Sequence, residues 1–269
     1  MRRLASVRIA AAALAAASLL GADGPAEAPI TVRYAEGITH GFLTLQTLEG
    51  APLADGDLIQ TAKGDEVTSR MVLHFRDGSL QDETAVFRQR GRFHLVSDHL
   101  VQKGPAFPTA LDVVIDVSRG AVTVRSTEAG GRERTSSEHL DLPEDLANGM
   151  VIVMLKNVAA ASSGSVSMLV ASPKVRIVRL VLTRIGEDSF AIGASPRKAI
   201  RWNVRVELGG VAGVVAPLIG KQPPDTLVWI TAGDAPTFLK SEGPLYPGGP
   251  PRRLELAIPS WPASRAPDR

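Results

Sequence analysis

The sequence predicts a mainly β (α+β) protein, in which one large curved antiparallel sheet or half-barrel wraps around one apolar helix. Three observations predict it. Most segments are rich in β-branched residues and alternate apolar with polar side chains. The connections between them are short, which implies antiparallel neighbours, because parallel pairs need long crossovers. One segment, Asp141 to Val158, carries its apolar residues at helical spacing instead.

The chain opens on MRRLASVRIAAAALAAASLLGADGPAEAPI. Arg2, Arg3 and Arg8 precede an Ala-rich apolar run from Ile9 to Leu20, and small residues follow, with cleavage positions after Ala22, Ala26 or Ala28. That is the layout of a secretory signal peptide, expected over 1–28. The run is shorter than the roughly 20 residues that span a bilayer, and an N-terminal membrane anchor is the rival reading. The expected organisation is then a single β-rich domain over 29–260 and a disordered Pro-rich tail over 261–269. Lys and Arg number 30 against 28 Asp and Glu, and cleavage after Ala22 removes three arginines and no acid, leaving 27 against 28, a net charge of −1. The basic excess thus belongs to the leader, and no nucleic-acid partner is expected. The chain has no cysteine, which excludes disulfides, thiol chemistry and lipid attachment through an N-terminal Cys. A periplasmic or secreted bacterial protein, held together by its core alone, is expected.

The strands follow in order. Val67, Ser69, Met71, Leu73 and Phe75 alternate with Thr68, Arg70, Val72, His74 and Arg76. Asp77-Gly78 reads as a two-residue hairpin turn, which requires positive φ at both centres, and Arg90-Gly91 as a second turn. Val67 to Pro105 is therefore a three-stranded meander. TALDVVIDVS and AVTVRST form a hairpin around Ser118-Arg119-Gly120, and SVSMLVAS, KVRIVRLVLTRI, AIRWNVRVEL, TLVWITA and RRLELAI complete the strand set. Asp55-Gly56 also reads as a turn.

In DLPEDLANGMVIVMLKNV, Asp141 and Glu144 have capping-box spacing, with Pro143 in the first turn. Leu146, Met150, Met154 and Val158 fall on one helical stripe, with Ala147, Val151 and Leu155 beside it. A helix so apolar must be covered. The alternative ends a short helix at Asn148-Gly149 and makes MVIVML a strand; Gly149 costs a continuous helix about 1 kcal/mol. The cap and the length favour the continuous helix.

The stretch GGVAGVVAPLIGKQPPD, Gly209 to Asp225, has no phosphate-binding loop: Val215 stands where the first glycine belongs, and Gln222 where a hydroxyl would meet magnesium. The glycine spacing is wrong for a dinucleotide fold. Val211 to Ile219 is uncharged and reads as a buried turn or short helix against the sheet, or as a point of peripheral membrane contact.

Chemistry-bearing residues are sparse. His94, Asp98 and His99 cannot converge on a metal from a straight strand, because successive side chains alternate faces. No metal and no cofactor is expected. With turns centred on Asp77-Gly78 and Arg90-Gly91, Asp82 lies opposite Leu73 and His99, on the face of Met71, Phe75 and Leu80, and Glu83 lies opposite Val72 and Asp98. An Asp82–His99 pair could serve acid–base chemistry or simply be a structural hydrogen bond; a slip of one residue would dissolve it. No nucleophile elbow, H-E-x-x-H or zinc-ribbon spacing occurs. Trp202 and Trp229 read as core, and Trp261 belongs to the tail.

HLVQKGPAFP, LPEDLANGMVIVMLKN and GGVAGVVAPLIGKQPPDTLVWI resemble blocks of an uncharacterised family of secreted bacterial proteins. More distantly, the order of elements resembles the periplasmic half-barrels of the lipoprotein-carrier class. That resemblance implies a concave sheet around an apolar helix, holding acyl chains, although those carriers rely on conspicuous aromatics and this chain has few. The expected function is accordingly an exported envelope protein binding or carrying an apolar ligand, lipid or acyl chain, in a concave sheet. Its candidate ligand-binding residues are Leu146, Met150 and Met154 on the helix and Met71, Phe75 and Trp229 on the sheet. The alternatives are a hydrolase using Asp82 and His99, or a non-catalytic envelope assembly factor that pairs through an exposed sheet edge.

Overall fold

The computed structural model describes residues 29–128, 130–159, 163–171, 174–207 and 223–257. The expected leader, the Val211–Ile219 run and the 261–269 tail with Trp261 lie outside the described residues.

The elements are β1 (Thr39–Gln46), β2 (Pro52–Lys63), β3 (Glu66–Phe75), β4 (Leu80–Arg90), β5 (Arg92–Lys103), β6 (Thr109–Asp116), β7 (Ala121–Glu128), β8 (Glu133–His139), α1 (Val151–Asn157), β9 (Gly164–Val170), β10 (Arg176–Ile192), β11 (Ser195–Glu207), β12 (Thr226–Thr231), β13 (Phe238–Pro244) and β14 (Pro251–Leu256). The fourteen strands of the described residues form one antiparallel sheet in the order β8-β7-β6-β5-β4-β3-β2-β1-β14-β13-β12-β11-β10-β9. Two meanders, β1–β8 and β9–β14, are joined where β1 pairs with β14. The sheet is not closed: β8 and β9 are its terminal strands.

The alternation of side chains fixes which face turns inward. Leu43 and Leu45 of β1, Leu73 of β3, Phe87 of β4, Ile115 of β6, Leu182 of β10 and Trp202 of β11 join Val153, Met154 and Leu155 of α1 in one buried cluster. Side chains of strands from β7 to β9 in the sheet order join one cluster with the same short helix, so the sheet curves around it. The predicted class is what the protein adopts, a large curved antiparallel sheet around one apolar helix.

The helix is shorter than expected. It covers Val151–Asn157, Met150 stands at its N-cap without a side-chain cap bond, and Asp141 and Glu144 form no capping box. Asp141 to Met150 is a run of turns and extended residues in which Gly149 takes φ +64°. A Cβ at Gly149 would stand 2.7 Å from Ala85 Cβ and 2.9 Å from Asp98 Oδ1, so the backbone lies directly against the sheet there. The alternative reading fails too, since MVIVML enters the helix and not a strand. Leu146 makes an isolated bridge to Ser167, and Asn148 exchanges two hydrogen bonds with the Leu169 backbone, 2.8 and 2.9 Å. The segment preceding α1 thus covers the outer edge of β9.

The register of the meander also departs from the expectation. The β3–β4 connection is a three-residue loop: Phe75 N–H donates to Ser79 O at 2.9 Å, and Gly78 at φ +84° turns the chain. Asp82 therefore faces Val72, and Glu83 faces Met71. A bulge between Val86 and Phe87 shifts β5 further, placing Val101 opposite Asp82 and Thr84 opposite His99. Asp55-Gly56 is not a turn but the middle of β2, where a Cβ on Gly56 would come 1.9 Å from Val72 O. That glycine permits close approach of two strands.

Candidate functional site

A cavity of about 680 Å³ lies between α1 and the inner face of the sheet. Its wall is built from inward positions of neighbouring strands: Gly41 on β1, Leu58 and Gln60 on β2, Ser69 and Met71 on β3, Glu83 on β4, and Leu256 on β14. The helix contributes Val151, Ile152, Val153 and Lys156, and β9 and β13 contribute Met168 and Phe238. Tyr34 to Gly37, from the arm preceding β1, Thr39 and His40 at the start of β1, Gly149 before α1, and Asp234 to Thr237, between β12 and β13, also line it.

The arm is held by named bonds. Asn157, 2 % exposed, accepts from the Arg33 and Tyr34 backbone N–H groups at 2.8 Å each and donates to Val153 O at 2.9 Å. Lys156 Nζ reaches the two oxygens of Glu36 at 2.5 and 2.6 Å, and Gln60 Nε2 donates to Glu36 Oε2 at 2.6 Å. This buried ion pair is satisfied on both sides, which is the condition for tolerating charge away from water.

Glu83 and Asp98 are different. They share the inner face, with Glu83 opposite Leu100 and Asp98 opposite Ala85. Asp98 is 2 % exposed, and its Oδ1 has no hydrogen-bond partner among the described residues. Burial pushes the Glu83 carboxyl up to about 7. Burial, and then the neighbouring Glu83 charge, push Asp98 well above the usual carboxylate range. The β3–β4 register that moves Asp82 to the outer face is what brings Glu83 to the inner one.

The expected site residues are distributed as follows. Met71 lines the cavity. Leu146, Met150 and Met154 are buried in the main core at 1 %, 0 % and 3 % exposure. Phe75 sits at a second, smaller hollow of about 200 Å³, edge-on to Phe107, which in turn meets Tyr246. Trp229 is on the convex face, in a separate small cluster with Phe190, Ala199 and Leu239. Its Nε1 donates to Asp188 Oδ2 at 2.6 Å, and Lys240 Nζ stands 4.1 Å above its ring. The inward neighbours Val228 and Ile230 show why: strand residues alternate, and the tryptophan falls between two core positions.

The expected Asp82–His99 pair does not form. Asp82 accepts a two-pronged bond from Arg70, 2.9 and 2.6 Å, and His99 Nε2 meets Asp112 Oδ1 at 3.1 Å. Both pairs lie on the convex face, partly exposed. Arg70 holds the Asp82 carboxyl below its ordinary range. Among the described residues no group of three His, Asp or Glu is placed to hold a metal ion, and no helix is long and apolar enough to cross a membrane.

Sequence reasoning missed Glu83, Asp98, Glu36, Lys156 and Gln60 as inner-wall groups. Glu83 and Asp98 were adjacent to the residues considered, and a correct loop length would have exposed them. Glu36 and Lys156 belong to segments without strand periodicity and carried no such signal.

No protein-family model matches the chain, and no curated protein matches it in sequence. Among solved structures, it is similar to a β-barrel-like protein of domain of unknown function DUF1849 from Brucella abortus, with 10% identity and a TM-score of 0.44, over 85% of this chain and 100% of that one.

Proposed function

We propose that the protein is an exported envelope protein that binds or carries an apolar or amphiphilic small molecule, a lipid or an acyl chain, in the concavity of its sheet. The cavity of about 680 Å³ carries the reading. It falls within the roughly 300–1,000 Å³ of small-molecule sites, and it combines an apolar wall with a few convergent polar groups, as such sites do. Leu58, Met71, Met168, Phe238 and Leu256 supply surface for a hydrocarbon chain, and methionine accepts varied shapes. The leader sequence supports export, and the half-barrel resemblance agrees with a chain-binding role. Contact of the Val211–Ile219 run with a bilayer surface belongs to the same reading, as a route for loading.

Native mass spectrometry of the protein purified from membrane-containing cells tests this. The expected result is an adduct with the mass of a lipid or fatty acid, lost in Met71→Trp, which fills part of the cavity. A bare polypeptide mass, together with no uptake of an offered acyl chain, overturns the reading.

One observation favours a second reading, an assembly factor. Every residue of β8 is exposed, and β8 is a free edge of the sheet, whereas β9 is covered by the segment before α1. An unpaired edge can accept a strand from another chain. Ser137, opposite Thr123 in a pair whose backbone N–H groups point away from each other, turns its N–H to the open side of β8, so Ser137→Pro should abolish any such pairing in a pull-down while leaving lipid binding intact.

A further inference from the structure

Among the described residues, two carboxyl groups on the inner face of the sheet, Glu83 and Asp98, have no cation set against them. The basic side chains lining the cavity, among the described residues, are Lys156 and His40. Lys156 is taken by Glu36, and His40 Nε2 is 2.6 Å from Asp57 Oδ1. Glu83 lines the cavity and makes no hydrogen bond or ion pair among the described residues, while Asp98 lies beside it with a buried, unpartnered oxygen. Asp234 lines the same cavity. A buried carboxylate without a partner is costly and holds a proton instead, unless a cation supplies the partner.

Resting on the cavity as a binding site, we propose that Glu83, with Asp98 behind it, receives the cationic amino head of an amphiphile whose hydrocarbon chain lies against Leu58, Met71, Val153 and Phe238. Gly149, which lines the cavity, packs its backbone over Asp98, where any Cβ would stand 2.9 Å from Oδ1, so Asp98 is sealed behind the wall and Glu83 is the carboxyl that meets the cavity. The charge balance selects a cation. Glu36 is neutralised by Lys156, so an anionic head would meet Glu83 and Asp234, with Asp98 behind, and no free base among the described lining residues to offset them, whereas an ammonium meets acceptors. Ammonium binding also favours ionisation of the two carboxyls, against the burial that raises them. The remaining neighbours of Glu83 across the sheet, Met71 and Leu100, are apolar and shield the contact from water.

The test titrates the full chain with dodecylammonium, dodecanol and dodecanoate, each below its micelle concentration, by isothermal calorimetry at pH 7.5. Dodecylammonium is expected to bind about tenfold tighter than dodecanol, the scale of one hydrogen bond to a charged group. Glu83→Gln should bring the two within about twofold, and Asp98→Asn should weaken the preference, whereas Asp82→Asn, on the convex face, should leave it unchanged. Circular dichroism of each variant checks that the sheet is intact, and the wild-type order of the three probes stands as a test even if a variant does not fold. Equal binding of alcohol and amine, tightest binding of dodecanoate, or a preference that survives in a folded Glu83→Gln variant overturns the head-group assignment and leaves the cavity reading standing. If none of the three probes binds, the cavity reading falls and takes this inference with it.

Discussion

Replacing Glu83 by glutamine keeps the size of the side chain and removes its proton equilibrium. Burial raises the folded-state carboxyl from 4.5 to about 7, and each unit is worth about 1.4 kcal/mol, so the wild type forgoes roughly 3 kcal/mol once the solution is alkaline. The sign follows from proton binding. The folded protein holds this proton more tightly than the unfolded chain, so the contribution is complete below 4.5 and is lost as the pH rises through 7. Asp98 shifts in the same direction and steepens the loss; Lys156 stays paired with Glu36, and Asp234 and His40 line the same cavity. Scanning calorimetry of wild type and variant at pH 4.5 and pH 8 reads the effect. Any fixed cost of the new amide cancels in the comparison between the two pH values. At about 2–4 °C per kcal/mol for a domain of this size, the variant should gain roughly 6–12 °C on the wild type between the two conditions. A gap that is the same at both pH values refutes a desolvated Glu83.

Other substitutions probe the packing. Gly149→Ala should cost more than about 2 kcal/mol, from positive φ plus the contact with Ala85, whereas Gly193→Ala, at φ +57° with open space around it, should cost only the roughly 1 kcal/mol of backbone strain; in a continuous helix Gly149→Ala would instead stabilise, and urea titration separates the signs. Met150→Ala should destabilise by about 2–5 kcal/mol in the same assay, and Met150→Asp should yield no folded protein. Asn157→Ala leaves the Arg33 and Tyr34 N–H groups without their acceptor, so hydrogen exchange at those two amides should accelerate far more than in the β3–β4 ladder. His99→Ala, exposed beside Asp112, should shift stability by less than about 0.5 kcal/mol.

The strands of β3–β7 were legible because one face of each is buried, so burial and sequence alternate together. The strand β8 was not, because all its residues are exposed and nothing in ERTSSEH alternates. β1, β2 and β13 are interrupted by glycine, proline or polar residues at positions facing the cavity or a close strand, which weakens the same signal. The helix was legible as an apolar segment but not in length: Asp141, Pro143 and Glu144 mimic a helix start, while Gly149 in fact resets the backbone one residue before the N-cap. The site was harder. Met71 was placed on the inner face from alternation alone, but choosing between Asp82 and Glu83 depended on whether the Asp77-Gly78 loop holds two residues or three. One residue of loop length decides which acid meets the cavity and which meets Arg70 and water.

The seam between β1 and β14 ties the assembly of the sheet to the far end of the chain. Gln46 and Glu255 bond across it although they stand 209 positions apart. Each meander can zip locally as it emerges, but the strand at the middle of the finished sheet waits with an open flank until the final strand arrives. Contacts so remote in sequence fold slowly. The half-made β1–β8 meander therefore presents adhesive backbone on both flanks in the interval, and a chaperone that shields β1 should raise the yield of refolded protein more than one that shields β14.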